Sequence, residues 1–87
     1  MSTADLNYNR ISKDVRRALK DKFGADMPVS TKKIQGDKVV VAIASEHFDG
    51  MPPKKRQDEV WEVIRASLQE RAQRVSLVMV YGSKDLL

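Results

Sequence analysis

The first apolar pattern in the chain is typical of an amphipathic helix. Its apolar residues recur at intervals of four, three, one and four residues: Ile11, Val15, Ala18, Leu19 and Phe23. This spacing places one apolar stripe along an α-helix. Asn9 is suited to cap the start of the helix and Gly24 to end it. We therefore predict a helix over about residues 9–23, preceded by a flexible tail over residues 1–8.

The pattern then changes to β-branched residues, which predict two strands. Strands over about Val29–Ile34 and Lys38–Ala44 are separated by Gln35-Gly36-Asp37, a connection short enough to close an antiparallel hairpin. The second strand is apolar at successive positions, which is typical of a strand covered on both faces. We expect it to be central in its sheet.

A second helix and a third strand complete the pattern. Pro52 and Pro53 suit the start of a helix. Its predicted buried stripe has Val60 at the flank and comprises Trp61, Ile64, Leu68 and Ala72. The following strand, Val75–Tyr81, alternates between two faces, which predicts that Val75, Leu77, Met79 and Tyr81 share one face and that Ser76, Val78 and Val80 share the other.

The order helix, strand, strand, helix, strand predicts an α/β fold of the α+β kind. A strand, a helix and a strand in succession favour a right-handed parallel crossover, so the three-stranded sheet should be mixed. With both helices on one face of the sheet, the topology is similar to that of type II KH domains. The opposite face would then expose some of Val40, Ala42, Val78 and Val80 as a docking or dimer surface. We expect residues 9–87 to form this single domain.

Composition narrows the functional classes. The chain has 87 residues and no cysteine, so it provides neither a disulfide nor a thiolate ligand. The apolar run Val39–Ala44 is far shorter than the roughly 20 residues of a membrane span. Residues 1–20 lack the pattern of a secretory signal, and we expect a cytoplasmic protein without membrane contact.

Basic residues are concentrated in two places, although 16 Lys and Arg against 12 Asp and Glu leave a net charge of only +4. On the first helix Lys13, Arg16, Arg17 and Lys20 share the arc opposite the apolar stripe. Lys54, Lys55 and Arg56 begin the second helix, where cations oppose the helix dipole. Both groups are hypothetical contacts for phosphate or an acidic partner, as is Arg74. The alternative is solvated charge, neutralised at the second helix by Asp58, Glu59 and Glu62.

The junction between the second strand and the second helix resembles that of the BolA-like family. The matching residues lie within Val39–Tyr81: Phe48-Asp49-Gly50-Met51, then Lys55-Arg56-Gln57, then Val60 and Trp61. The Phe-Asp-Gly-Met form is most similar to the acid-stress branch. From the residues themselves we expect Phe48 to fill the core, Gly50 to permit a tight turn and Asp49 to accept hydrogen bonds from the start of the helix.

The resemblance implies a non-enzymatic regulator of stress response or transcription that binds nucleic acid. Its alternative implication is an adaptor for a monothiol glutaredoxin in iron–sulfur cluster assembly or iron regulation. The adaptor would use the last strand and a Leu86–Leu87 tail as an apolar contact surface. A third interpretation is a structural module that forms a homodimer. For the chain itself we expect a monomer or a weak homodimer.

The chain departs from the family where a shared [2Fe–2S] cluster would bind. The family's last-strand His corresponds here to Arg74 or Ser76, and the first hairpin loop offers Lys33, Gln35, Gly36 and Asp37. We therefore expect no cofactor bound by the chain alone and no metal site. The Gly-x-x-Gly clamp of KH domains is also absent, because Gly50 is followed by Met51 and two prolines. The single histidine, His47, is predicted to pack in a loop.

Overall fold

The computed structural model of the chain describes residues 7–24, 28–36 and 38–86. It contains helix α1 (Tyr8–Phe23), strands β1 (Val29–Ile34) and β2 (Lys38–Ala44), helix α2 (Pro53–Leu68) and strand β3 (Val75–Tyr81). Short 3-10 turns precede α2, follow it and follow β3. No helix in the described part of the chain is long and apolar enough to cross a membrane.

The three strands form one mixed sheet in the order β1-β2-β3. β1 pairs antiparallel with β2, and β2 pairs parallel with β3. Helices α1 and α2 pack side by side on one face, where they cover Val39, Val41 and Ile43 of the central strand. The predicted α+β class, element order and central position of the second strand are therefore confirmed.

The N-cap of α1 lies two residues before the predicted one. Asn7, rather than Asn9, is the N-cap, and its side-chain Oδ1 accepts a hydrogen bond from Arg10 N at 2.9 Å. Tyr8 is the first helical residue, and its hydroxyl lies 3.1 Å from Thr31 Oγ1 of β1. Of the tail predicted over residues 1–8, these two residues belong to the helix and the others lie outside the described residues.

The buried stripe of α2 contains Ile64 and Leu68 as predicted, but it begins at Val60 rather than at Trp61. Val60, predicted at the flank, is fully buried together with Ile64 and Leu68, whose spacing of four residues keeps them on one side of the helix. Trp61 lies only half-buried at the edge of the core. The guanidinium of Arg65 lies 5.3 Å from the centre of the Trp61 ring, which gives this ring a polar neighbour near solvent.

A bulge in β3 reverses the predicted faces of the last strand. Val39 pairs with Val75 but Val40 pairs with Leu77, so Ser76 is an extra residue without a partner on β2. Because one extra residue turns every later side chain to the other face, Val78 is buried against the helices and Leu77 is 51% exposed. The prediction that Leu77 shares a face with Val75 is wrong. Of the four residues named for the face opposite the helices, Val40 and Ala42 lie on it, whereas Val78 and Val80 pack against the core.

Phe48 fills the core beneath the loop between β2 and α2. Its side chain is fully buried, and its ring centre lies 5.1 Å from those of Phe23 and His47. Gly50 follows at a φ of +77°, a left-handed conformation that other residues adopt only with strain. The structural roles predicted for Phe48 and Gly50 are therefore confirmed.

Candidate nucleic-acid interface

The solvent-facing side of α1 carries an uninterrupted group of cations. The cations are Lys13, Arg16, Arg17 and Lys20. Because an α-helix turns 100° per residue, this spacing places them on one stripe opposite the core. We call these four residues the α1 stripe. All are exposed, and none has an ion-pair partner among the described residues. The stripe rises about 10 Å along the helix axis.

Another side of α1 is neutralised by contact with the turn that follows α2, Gln69–Arg74. Asp14 Oδ2 lies 3.6 Å from Arg10 Nε and 2.7 Å from Arg71 Nη1. Asp14 and Arg71 are each about four-fifths buried, so they join α1 to this turn rather than face solvent. The charge of the α1 stripe lies outside this contact and remains available to a ligand.

A groove of about 570 Å³ runs between α1 and α2. Its walls carry the carboxylates of Asp21, Glu59 and Glu62 against the single ammonium of Lys22. This charge repels phosphate, so a polyanion that approaches α1 is directed away from the groove and towards the α1 stripe.

The first two cations of α2 differ in their surroundings. Lys54 Nζ donates a hydrogen bond of 2.8 Å to Asp58 Oδ2, one turn along the helix. This hydrogen bond, with the charge of Asp58, raises the pKa of Lys54. Lys55 is exposed and has no ion-pair partner in the part of the chain that the structure describes. Of these two predicted contacts, Lys55 alone remains uncompensated.

Arg56 is held inside the domain. Its Nε donates to the backbone oxygen of Met51 at 2.8 Å, and its Nη1 lies 2.7 Å from Asp85 Oδ2 beyond β3. The side chain is only 17% exposed. Through these contacts Arg56 holds the turn after β3 against the start of α2. Because its guanidinium is already bonded within the domain, we exclude Arg56 from the binding surface.

Asp49 supports the same turn, which corrects its predicted role at the start of α2. Its two carboxylate oxygens accept hydrogen bonds from Ser83 N at 2.7 Å and from Ser83 Oγ at 2.6 Å. The bond from the Ser83 hydroxyl is the main cause that lowers the pKa of Asp49. The pKa of Asp85 is also lowered, chiefly by the hydrogen bond from Gly82 N and then by Arg56. The start of α2 has no side-chain cap.

Arg74 lies apart from the other predicted contacts. Its Nη1 donates a hydrogen bond of 3.3 Å to the backbone oxygen of Gly36, in the turn between β1 and β2. Lys55 lies 13 residues before the end of α2 at Leu68, so about 20 Å of helix, followed by the turn Gln69–Arg74, separates it from the start of β3. The structure therefore groups Arg16, Arg17 and Lys20 with Lys13, and places Arg74 beside the turn between β1 and β2.

His47 packs as a loop residue. Its Nε2 lies 3.0 Å from Glu59 Oε1, and its ring contacts Phe23 and Phe48. The described residues contain no group of three or more His, Cys, Asp and Glu side chains placed to hold a metal ion. Asp37, named among the residues of the first hairpin loop, lies outside the described residues, as does Leu87 of the apolar tail.

The fold and its surface define a class: a small α+β domain that presents a cationic helix opposite its sheet. Comparison with known proteins adds no family to this description. No protein-family model matches the chain, and no curated protein matches it.

Proposed function

We propose that this protein is a non-enzymatic, BolA-like regulator that acts in the cytoplasm and binds nucleic acid through the α1 stripe. The observation that carries the proposal is the grouping of Lys13, Arg16, Arg17 and Lys20 on one exposed face without intramolecular partners in the described structure. The resemblance of Phe48–Trp61 to the BolA-like junction supports the same class.

The chemistry of the stripe favours phosphate over base recognition. Lysine and arginine that contact phosphates release condensed counterions, and this supplies affinity without sequence specificity. No aromatic residue stands among the cations of the stripe for a base to stack on. We therefore expect binding that depends strongly on salt and weakly on sequence.

Fluorescence anisotropy with a labelled DNA duplex and a labelled single-stranded RNA, at low salt, tests the proposal. Replacement of all members of the α1 stripe by glutamine preserves helix propensity and should abolish measurable binding. The matched control is Lys54→Gln, which removes an exposed lysine already paired with Asp58 and should change affinity little. Absence of binding by the wild-type chain, or equal losses in both variants, would refute the proposal.

A second function is favoured by the exposure of Leu77 on the sheet face away from the helices. This apolar side chain suits a protein adaptor, for which the BolA-like resemblance suggests a monothiol glutaredoxin. Mixing the chain with a cluster-loaded glutaredoxin and recording the visible absorption tests it. A complex with an altered spectrum supports the adaptor, and an unchanged spectrum without a complex counts against it.

A further inference from the structure

The sheet face opposite the helices, which we call the outer face, is mostly apolar over β2 and β3. Pairing of the strands places five neighbouring apolar side chains on it: Val40, Ala42, Leu77, Met79 and Tyr81. The bulge at Ser76 turns the three members from β3 outward. Contiguous apolar side chains on an exposed face commonly mark a contact surface.

The outer face has a dent that suits one large apolar side chain. The two small residues Ala42 and Ala44 lie in the middle of the sheet, between Ser30 of β1 and Tyr81 of β3. The resulting depression has a volume of about 320 Å³ and is also bordered by Pro28. A pocket of this kind can hold the buried anchor that dominates many protein interfaces.

Every charged side chain that the three strands place on the outer face is positive. Lys32 pairs with Val40 across the sheet and Lys38 pairs with Ile34, which places both lysines on this face beside the apolar side chains. Both are exposed and have no ion-pair partner among the described residues. The three strands contain no Asp or Glu at all. The partner must therefore combine apolar side chains with negative charge.

We propose that the outer face binds an acidic amphipathic helix of a partner protein. A sheet face is usually covered by a second layer of secondary structure, and the partner helix forms that layer on the outer face. The apolar stripe of the partner helix packs over Val40, Leu77 and Met79. A large apolar residue occupies the dent at Ala42, and carboxylates face Lys32 and Lys38. The proposal is independent of nucleic-acid binding, and although it uses the face named for the adaptor, it requires neither a glutaredoxin nor a cluster.

Strand geometry sets the spacing of the partner's acidic residues. Lys32 lies beside Val40, two residues along β2 from Ala42, and Lys38 lies four residues from it. At about 3.3 Å per strand residue these displacements are about 7 and 13 Å. On a helix, which rises 1.5 Å per residue, they correspond to about four and nine positions from the anchor. Because position nine lies about 180° around the helix from the anchor, we expect the second carboxylate at position eight, which rises about 12 Å and lies about 80° from the anchor.

Two other occupants fit the outer face less well. A second copy of the chain would bring its own lysines to this face, and its strands have no carboxylate to meet them. Single-stranded nucleic acid that binds a sheet stacks on aromatic rings, but the only aromatic residue in these strands is Tyr81. Its hydroxyl already lies 3.4 Å from Met79 Sδ.

Selection from a displayed library of random 16-residue peptides tests the proposal with the full chain. The recovered peptides should share apolar residues three and four apart, a large apolar anchor and acidic residues about four and eight positions from it. Affinities of labelled peptides are then measured by fluorescence anisotropy. Leu77→Gln, Ala42→Leu and Lys32→Glu should each weaken binding at least tenfold. Two matched control variants lie away from the outer face, Ala66→Leu and Lys22→Glu, and each should weaken peptide binding less than twofold.

Far-UV circular dichroism of each variant separates loss of the surface from loss of the fold. Recovery of basic or charge-neutral peptides, failure to recover any peptide, or binding unaffected by Leu77→Gln would overturn the proposal. A dimer in sedimentation velocity that Leu77→Gln dissociates would assign the face to a second copy instead. Loss of nucleic-acid binding in Leu77→Gln would also overturn the proposal, because the outer face would then not be separate from the nucleic-acid site. Failure of the α1 stripe variants alone would leave it unaffected.

Discussion

Deletion of Ser76 should leave the domain folded, although removing one residue from a strand usually turns its side chains to the wrong face. Val39 already pairs with Val75 and Val40 with Leu77, so the deletion removes only the unpaired residue of the bulge. Val75 and Val78 remain against the helices, and Leu77 remains on the outer face. Since Ser76 itself is exposed, we expect a loss of about 1 kcal/mol or less in the free energy of unfolding.

Strict alternation along β3, without a bulge, predicts a much larger loss in the free energy of unfolding when Ser76 is deleted. If Leu77, Met79 and Tyr81 faced the helices together with Val75, the deletion would turn them out of the core at about 1.5–3 kcal/mol for each large side chain. A chain of 87 residues has a free energy of unfolding of about 4–13 kcal/mol in total. The deletion would then unfold most or all of the protein.

Urea unfolding, followed by far-UV circular dichroism and by the fluorescence of the single tryptophan, measures the difference. The matched control is deletion of Val40, which has a partner on β3. That deletion turns Val41 and Ile43 away from the helices and should cost about 3–6 kcal/mol. A Ser76 deletion as damaging as the Val40 deletion would refute the bulge and the composition of the outer face.

Three further substitutions test the core and the contacts around α2. Phe48→Ala should cost about 3–5 kcal/mol in urea unfolding, because the side chain is fully buried. Asp14→Asn leaves the largely buried Arg71 without its ion pair and should cost about 1–3 kcal/mol. Asp49→Asn should destabilise at neutral pH by weakening its bonds to Ser83. Because the folded pKa of Asp49 is lowered, its contribution is present above the unfolded pKa of about 3.9 and is lost as pH falls through the folded value.

Matched control variants separate the loss of each named contact from a general loss of stability caused by substitution. Asp21→Asn removes an exposed carboxylate of the same helix and should change stability far less than Asp14→Asn. Ser83→Ala removes the hydroxyl that donates to Asp49 but keeps the backbone donor, so it should reduce the acid-dependent difference without abolishing it. A difference between wild type and Asp49→Asn that is the same at every pH would contradict the assigned cause.

Local patterns predicted the order of elements but not their faces. Hydrophobic periodicity located α1, the hairpin and α2, and the continuous apolar run identified β2 as central. The bulge at Ser76 depends on pairing with β2, which no pattern within β3 reveals. The cap of α1 was predicted at Asn9 and lies at Asn7, because the contact of Tyr8 with Thr31 of β1 favours the earlier asparagine.

The candidate site residues also divide into those whose contacts local sequence predicts and those whose contacts only the tertiary fold creates. The pair Lys54–Asp58 spans one helical turn and belongs to the local alternative that the sequence left open. The partner of Arg56 is Asp85, 29 residues further along the chain, and only the fold brings the two together. The α1 stripe could be predicted because it needs no tertiary information beyond the direction of the core. The lysines of the outer face required the register of β1 against β2.

The α1 stripe and the outer face lie on opposite sides of the domain, since α1 packs on the other face of the sheet. A polyanion on the helix and an acidic helix on the sheet therefore do not compete for space. This arrangement suits a small regulator that connects nucleic acid to a protein partner.

The dependence of nucleic-acid affinity on salt tests the central claim most directly. If the cations of the α1 stripe each contact one phosphate of a DNA duplex, the logarithm of the association constant should fall against the logarithm of salt concentration with a slope of about −3 to −4. Each single glutamine substitution in the stripe should make the slope shallower by about one unit. A slope near zero, or one that the substitutions leave unchanged, would contradict the account.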